Sequence, residues 1–254
     1  IAGDTVVVAA YKSDNCTFQT TRTSPVVIES ETGENCDQGA VYVFRTTDGG
    51  ATYVEVAKLT AIDAAATDLF GYSVAIDGDR FLIGSYGDDD FGSDSGSAYV
   101  FALNPPFTAA PTHLPTRHTI SWPQIAKMSA NDAAASDEFG SSVAIDGDTV
   151  VVGSPLDDDV PNTGQRRRGS AYVFHTSDGG ATYGLVAKLT ASDAAAGDNF
   201  GISVAIYGDT IVVGAYAWNG DGWGSAYVFR TTDSGATYLE VAILTASDAA
   251  VGDN

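Results

Sequence analysis

Two short runs concentrate carboxylates: Asp88-Asp89-Asp90 with Asp94 close behind, and Asp157-Asp158-Asp159. Oxygen donors at this density are the ligands of hard cations, so the chemistry they could do is to hold Ca²⁺. Consecutive residues cannot all point at one ion, and the competing expectation is a solvated acidic loop. Arg166-Arg167-Arg168 is a basic cluster in a chain with 33 Asp and Glu against 12 Lys and Arg, and it suits docking on an acidic neighbour, a further copy of the chain included. Trp218 and Trp223 lie in a Gly-rich stretch and suit contact with a protein or a glycan.

Catalytic chemistry finds less to work with. Of the three histidines, His113 and His118 sit in a Pro-rich stretch and His175 stands at a strand end, with no nucleophile motif or metal-ligand spacing around them. Two carboxylates acting on a glycoside would need a distinguished pair, and none stands out. The expectation is a protein that is not an enzyme, with a glycan hydrolase as the remote alternative and no cofactor beyond Ca²⁺.

The elements that must position these residues recur along the chain. Phe70-Gly71, Phe139-Gly140 and Phe200-Gly201 each open a unit that continues through Ser-Val-Ala-Ile. Ile1-Ala2-Gly3-Asp4 matches Ile145-Asp146-Gly147-Asp148, so a clipped first unit precedes them. Gly252-Asp253-Asn254 matches Gly197-Asp198-Asn199, so another Phe-Gly is due next. The units are approximately 1–69, 70–138, 139–199 and 200–254. Each holds four short apolar segments. Ser-Val-Ala-Ile, Asp-Gly-Asp and Thr-Val-Val-Val-Gly read as a tight hairpin, with Gly147 supplying the positive φ of the turn. Ser170 to Phe174 alternates as a third strand and Tyr183 to Leu189 forms a fourth. The Ala-rich connector from Asp193 to Asp198 is too short for a stable helix. The fold class is therefore all-β, a β-propeller of four-stranded antiparallel blades with four blade repeats present.

Composition bounds the rest. The net charge of −21 leaves no cationic field for phosphate, which argues against nucleic acid and anionic membrane surfaces as partners. No apolar run approaches the roughly 18 residues of a membrane span, so no membrane insertion is expected. The two cysteines, Cys16 and Cys36, share one insertion and are placed to form a disulfide there. Asn15-Cys16-Thr17 in the same loop is a glycosylation sequon. Both features point to an extracellular or cell-surface location.

Two resemblances follow from these motifs. Thr46-x-Asp48-x-Gly50-x-Thr52-Tyr53, and its copies at Thr176 to Tyr183 and Thr231 to Tyr238, resemble the Asp-box hairpin of sialidase-type propellers. The Asp is expected to accept turn N–H groups while the Tyr packs under the blade. In the second unit a Pro-rich segment ending at Trp122-Pro123 replaces this hairpin and reads as an extended surface loop. The Phe-Gly-x-Ser-Val-Ala pattern, with Gly153-Ser154-Pro155, Gly84-Ser85-Tyr86 and Gly214-Ala215-Tyr216 as its second half, resembles the FG-GAP repeat of integrin α-subunit propellers. The closest likeness is to the shorter variety of bacterial and algal surface proteins. The resemblance implies membership of a larger propeller of about seven blades. It also implies Ca²⁺ loops in the first hairpin, but Asp77-Gly78-Asp79 and Asp146-Gly147-Asp148 are too short for that ligand set.

The long, variable segments from Tyr11 to Gly39, Tyr86 to Gly96, Leu156 to Gly169 and Ala217 to Gly224 all belong to one propeller face. The leading expectation is an extracellular, non-enzymatic, integrin-α-like adhesion or interaction module that binds a protein or glycan there. The alternative is a structural subunit of an extracellular filament, flagellar hair (mastigoneme) or surface coat. The recurrent Asp-Ala-Ala-Ala-x-Asp connectors are expected to cap turns beside the next Phe-Gly.

Overall fold

The computed structural model describes residues 4–12, 37–103, 121–158, 167–216 and 224–248. Fifteen strands run through them. The first blade is β1 (Thr5–Ala10), β2 (Ala40–Arg45) and β3 (Val54–Leu59). The second is β4 (Ser73–Asp77), β5 (Arg80–Ser85), β6 (Ser97–Ala102) and β7 (Gln124–Met128). The third is β8 (Ser142–Asp146), β9 (Thr149–Ser154), β10 (Ser170–His175) and β11 (Gly184–Leu189). The fourth is β12 (Ser203–Tyr207), β13 (Thr210–Ala215), β14 (Ser225–Arg230) and β15 (Leu239–Leu244). Each sheet is an antiparallel meander in chain order. The first strands β4, β8 and β12 pack against one another, so they line the axis around which the blades are set.

The apolar run of each second strand explains the stacking. Val150 and Val152 enter the core shared with blade two, beside Leu82 and Val100, while Val151 enters the core shared with blade four, beside Ile211 and Val213. A strand covered on both faces must be apolar at successive positions, and Thr-Val-Val-Val-Gly is.

Phe-Gly is the rivet between blades. Phe139 is fully buried against Tyr172 and Phe174 of its own blade, at 5.4 and 6.1 Å between ring centres. Its backbone makes a parallel bridge to Gly96 of the preceding blade, and Phe70 and Phe200 do the same to Gly39 and Gly169. The Gly140 carbonyl accepts Ser73 Oγ at 2.7 Å and lies where a Cβ on Gly84 would stand; Gly201, Ser142 and Gly153 repeat this arrangement. The Phe-Gly-x-Ser…Gly spacing is thus the footprint of one backbone passing through a notch in the next blade.

The second hairpins form as the Asp-box predicts. Thr176 Oγ1 accepts Gly180 N and donates to Asp178, whose two oxygens take the N–H and hydroxyl of Thr182. The Thr182 hydroxyl is the main cause that holds Asp178 well below the usual carboxylate range; the Thr237 hydroxyl does the same for Asp233, to about 2. Thr176 is buried, and Thr176→Val is expected to cost about 1–2 kcal/mol through an unpaired Gly180 N–H, read as a lower urea midpoint.

Three expectations are corrected. Tyr53 does not pack under its blade but is about half exposed, whereas Tyr183 and Tyr238 pack against the cores. Trp122, at the end of the segment read as a surface loop, takes the place of the Asp-box Tyr and is buried against Phe81. The connectors divide their labour: Asp68, Asp137 and Asp198 do cap their turns through Ala65, Ala134 and Ala195 N–H. Asp63, Asp132 and Asp193 instead turn toward strand side chains. A Cys16–Cys36 pairing, Asn15, Asp159, Arg166, Trp218, Trp223, His113 and His118 lie outside the described residues.

Candidate functional site

The second-to-third loops and the connectors open on one face, where the acidic runs meet a lysine. Asp88 is buried, and its Oδ2 accepts Tyr99 OH at 2.7 Å and Lys127 Nζ at 2.9 Å. The same ammonium reaches Asp63 at 2.7 Å and Asp90 at 2.6 Å, and stands 5.2 Å from the Tyr99 ring centre. Blade three repeats this: Lys188 bonds Asp132 and Asp157, both of which also take Tyr172 OH, and lies 5.3 Å over its ring.

Among the described residues, Asp63, Asp88 and Asp90 are the group whose oxygens lie close enough together for a metal. Their shared point is where the Lys127 ammonium bonds all three. Burial pushes Asp88 up, but Tyr99 and Lys127 outweigh it and leave the carboxyl below its ordinary range. Burial likewise opposes the Lys127 charge, and the three carboxylates raise it above the ordinary lysine value regardless. A lysine held this way stays charged and is no nucleophile. If the ammonium does the work of a cation, chelation with EDTA leaves the melting temperature unchanged; a fall on chelation, restored by Ca²⁺, would instead show a metal in these loops.

The remaining acidic residues serve the loops' own backbone. Asp89 Oδ1 accepts Asp94 N at 2.8 Å, and Asp158 Oδ1 accepts Arg167 N. In the first hairpins, Asp77 Oδ2 accepts Gly147 N and Asp146 Oδ2 accepts Gly208 N. Those turns do not fit a calcium loop: they are locks between blades. The basic cluster is part of a rivet too. Arg167 O accepts Asn199 N, and Arg168 O accepts Phe200 N, while Arg168 Nε is buried with no hydrogen-bond partner among the described residues.

Asp68 and Asp137, the turn caps next to these clusters, are buried carboxyls. Burial is the main cause that raises each to about 6, with Asp88 and Asp157 adding to it. A carboxyl raised on folding binds its proton more tightly in the folded state, so stability is expected to rise as pH falls from about 7 toward 4. Below that, loss of the depressed Asp-box carboxylates reverses the trend. Urea midpoints at pH 7 and 5 check this, and the double variant Asp68→Asn, Asp137→Asn should flatten the rise.

Sequence reasoning missed the Tyr and Lys of these triads. The signal was present: where Asp88 and Asp157 stand in blades two and three the fourth unit has Trp218, and where Lys127 and Lys188 stand it has Ile243. The ion pair is lost as a pair. Also missed was a group of tyrosines on the axial side of the same face. Tyr72 and Tyr86 are 4.4 Å apart between ring centres at 81°, and Tyr11 is 5.5 Å from Tyr72. Burial raises the Tyr86 phenol to about 12, helped by Tyr72 and Glu138.

Four-stranded meanders stacked face to face around inner strands, riveted by Phe-Gly, define a run of β-propeller blades. The sequence matches the FG-GAP repeat family at residues 53–101, 122–174 and 183–229, more than half of the chain, and the chain belongs to that family. Among curated proteins no relative matches. Solved structures are similar to the chain at low identity. Sqt1 of Saccharomyces cerevisiae is 11% identical over 72% of this chain and 36% of its own, with a TM-score of 0.40. The sialidase of Trypanosoma rangeli, in complex with sialic acid, is 12% identical over 80% of this chain and 32% of its own, at 0.37. A leech intramolecular trans-sialidase is 11% identical over 94% of this chain and 34% of its own, at 0.43. The chain spans about a third of the length of these structures.

Proposed function

We propose that this chain is a non-enzymatic interaction module that works outside the cell or at its surface, binding a protein or a glycan through the long-loop face. The support is an asymmetry between the two faces. The hairpin face is spent on architecture: Asp77 and Asp146 bond the next blade, Arg80 bonds Gly147 O and Asp148, and the Asp-boxes close on themselves. The loop face carries segments of differing length above a framework held from below. Variation on one face of a constant scaffold is how binding surfaces are built. Lys127 is paired with three carboxylates, so this cluster offers no free nucleophile. Trp218, Trp223 and Arg166 to Arg168 are assigned to this contact surface, and any Ca²⁺ would enter through Asp89, Asp94, Asp158 and Asp159, because lysines already hold Asp88, Asp90 and Asp157.

Retention on an array of extracellular-matrix proteins and glycans tests the reading. The variant Trp218→Ala, Trp223→Ala should lose retention while keeping its melting temperature; undiminished retention removes these residues from the surface. A second reading, a subunit of an extracellular filament, flagellar hair or surface coat, is favoured by the Arg166–Arg168 cluster in a chain of net charge −21, which suits docking on a further copy. Sedimentation decides: a concentration-dependent polymer favours the subunit and a discrete particle the module.

A further inference from the structure

Tyr72 and Tyr86 are the closest pair of rings among the described residues, at 4.4 Å, just below the ~4.5–7 Å usual for packed aromatic pairs. Most other ring pairs of the blades lie in the cores, and their phenols are occupied: Tyr99 donates to Asp88, Tyr172 to Asp157 and Asp132, Tyr227 to Asp193. Tyr72 is different. It is 45% exposed, stands at the start of β4, and meets Tyr86 at the end of β5 with Tyr11 of the first blade on its other side.

We propose that Tyr72 and Tyr86 form an oxidative cross-linking site, joined as dityrosine by a one-electron phenol oxidant of the haem peroxidase class using hydrogen peroxide. Each phenol gives up one electron and its O–H proton, and the peroxide takes the two electrons and two protons to become two waters. The two phenoxyl radicals couple through the ring carbons next to oxygen, and the hydrogens on those carbons move to the oxygens, restoring both phenols. One C–C bond forms and the chain loses two hydrogens. With the ring centres 4.4 Å apart, rotation of the two side chains from their edge-to-face contact can bring the carbons next to oxygen together. The exposure of Tyr72 lets an oxidant reach the pair. The bond would pin the entry of β4 to the exit of β5 on the loop face, and unlike a disulfide it would survive reduction.

The test uses the full chain at low concentration with a haem peroxidase and hydrogen peroxide, read by dityrosine fluorescence, intact mass and fragment sequencing. The expected product is a single chain lighter by two hydrogens, with the link between the peptides holding Tyr72 and Tyr86. Tyr72→Phe and Tyr86→Phe, each checked for an unchanged melting temperature, should each lose most of the fluorescence. Tyr207 is the internal control: it is 87% exposed and has no ring beside it among the described residues. Coupling chiefly through Tyr207 or between chains would overturn the proposal. So would the same products from the urea-unfolded chain, since exposure or chance would then explain the linkage.

Discussion

Lys127→Ala should lower the urea midpoint several times more than the loss of an exposed lysine. Its ammonium neutralises Asp88, which is 3% exposed, together with Asp63 and Asp90. Removing it strands a buried carboxylate among two others. Breaking such a pair from one side costs about 3 kcal/mol, the lower end of the range because Asp63 and Asp90 reach water. Lys58 is the natural control. It is exposed, its one described contact is the Tyr42 ring at 5.5 Å, and Lys58→Ala should cost about 0.5–1 kcal/mol. Adding Asp88→Asn to Lys127→Ala should recover part of the loss, since the stranded charge goes with it. Equal effects at Lys58 and Lys127 would mean that the triad contributes no more than a surface cation.

Gly153→Ala should be as damaging, for a steric reason. A Cβ there would stand 1.9 Å from Gly201 O and 2.3 Å from Ser142 Oγ, so blades three and four would have to separate or the notch deform. The expected cost is about 3 kcal/mol, the upper end for overpacking. Ser142→Ala removes only the 2.7 Å bond to Gly201 O and should cost about 1 kcal/mol. Gly147→Ala has open space around it but a φ of +55°, and should cost about 1 kcal/mol through backbone strain alone. If Gly153→Ala behaves like Gly147→Ala, the blades are not meshed as described.

Much of this was legible in the sequence because the repeat fixes local chemistry. Phe-Gly, the Asp-Gly-Asp turn and the Thr-x-Asp-x-Gly-x-Thr hairpin each act over a few residues, and their copies give the blade. What depends on joining distant residues was not legible. Asp88 and Lys127 are far apart in the chain, and only the paired change to Trp218 and Ile243 in the fourth unit marks them as partners. The connector aspartates looked alike, but Asp68 meets its own turn while Asp63 meets Lys127 of β7. The tyrosine group draws on Tyr11 and Tyr86, which are equivalent positions, and Tyr72, which is not, so no single repeat displays it. Nor could the short turns announce that Asp77 and Asp146 would lock neighbouring blades.

The most direct test of the account compares the two faces. A chain with Tyr72→Ala, Phe91→Ser and Asp94→Ser, and another with Asp79→Ser, Asp209→Ser and Arg230→Ser, would be run beside the unaltered protein on the same array of matrix proteins and glycans, each after its melt confirms folding. Loop-face substitutions should abolish retention and hairpin-face substitutions should leave it intact. Retention that survives the first set and is lost with the second would contradict this.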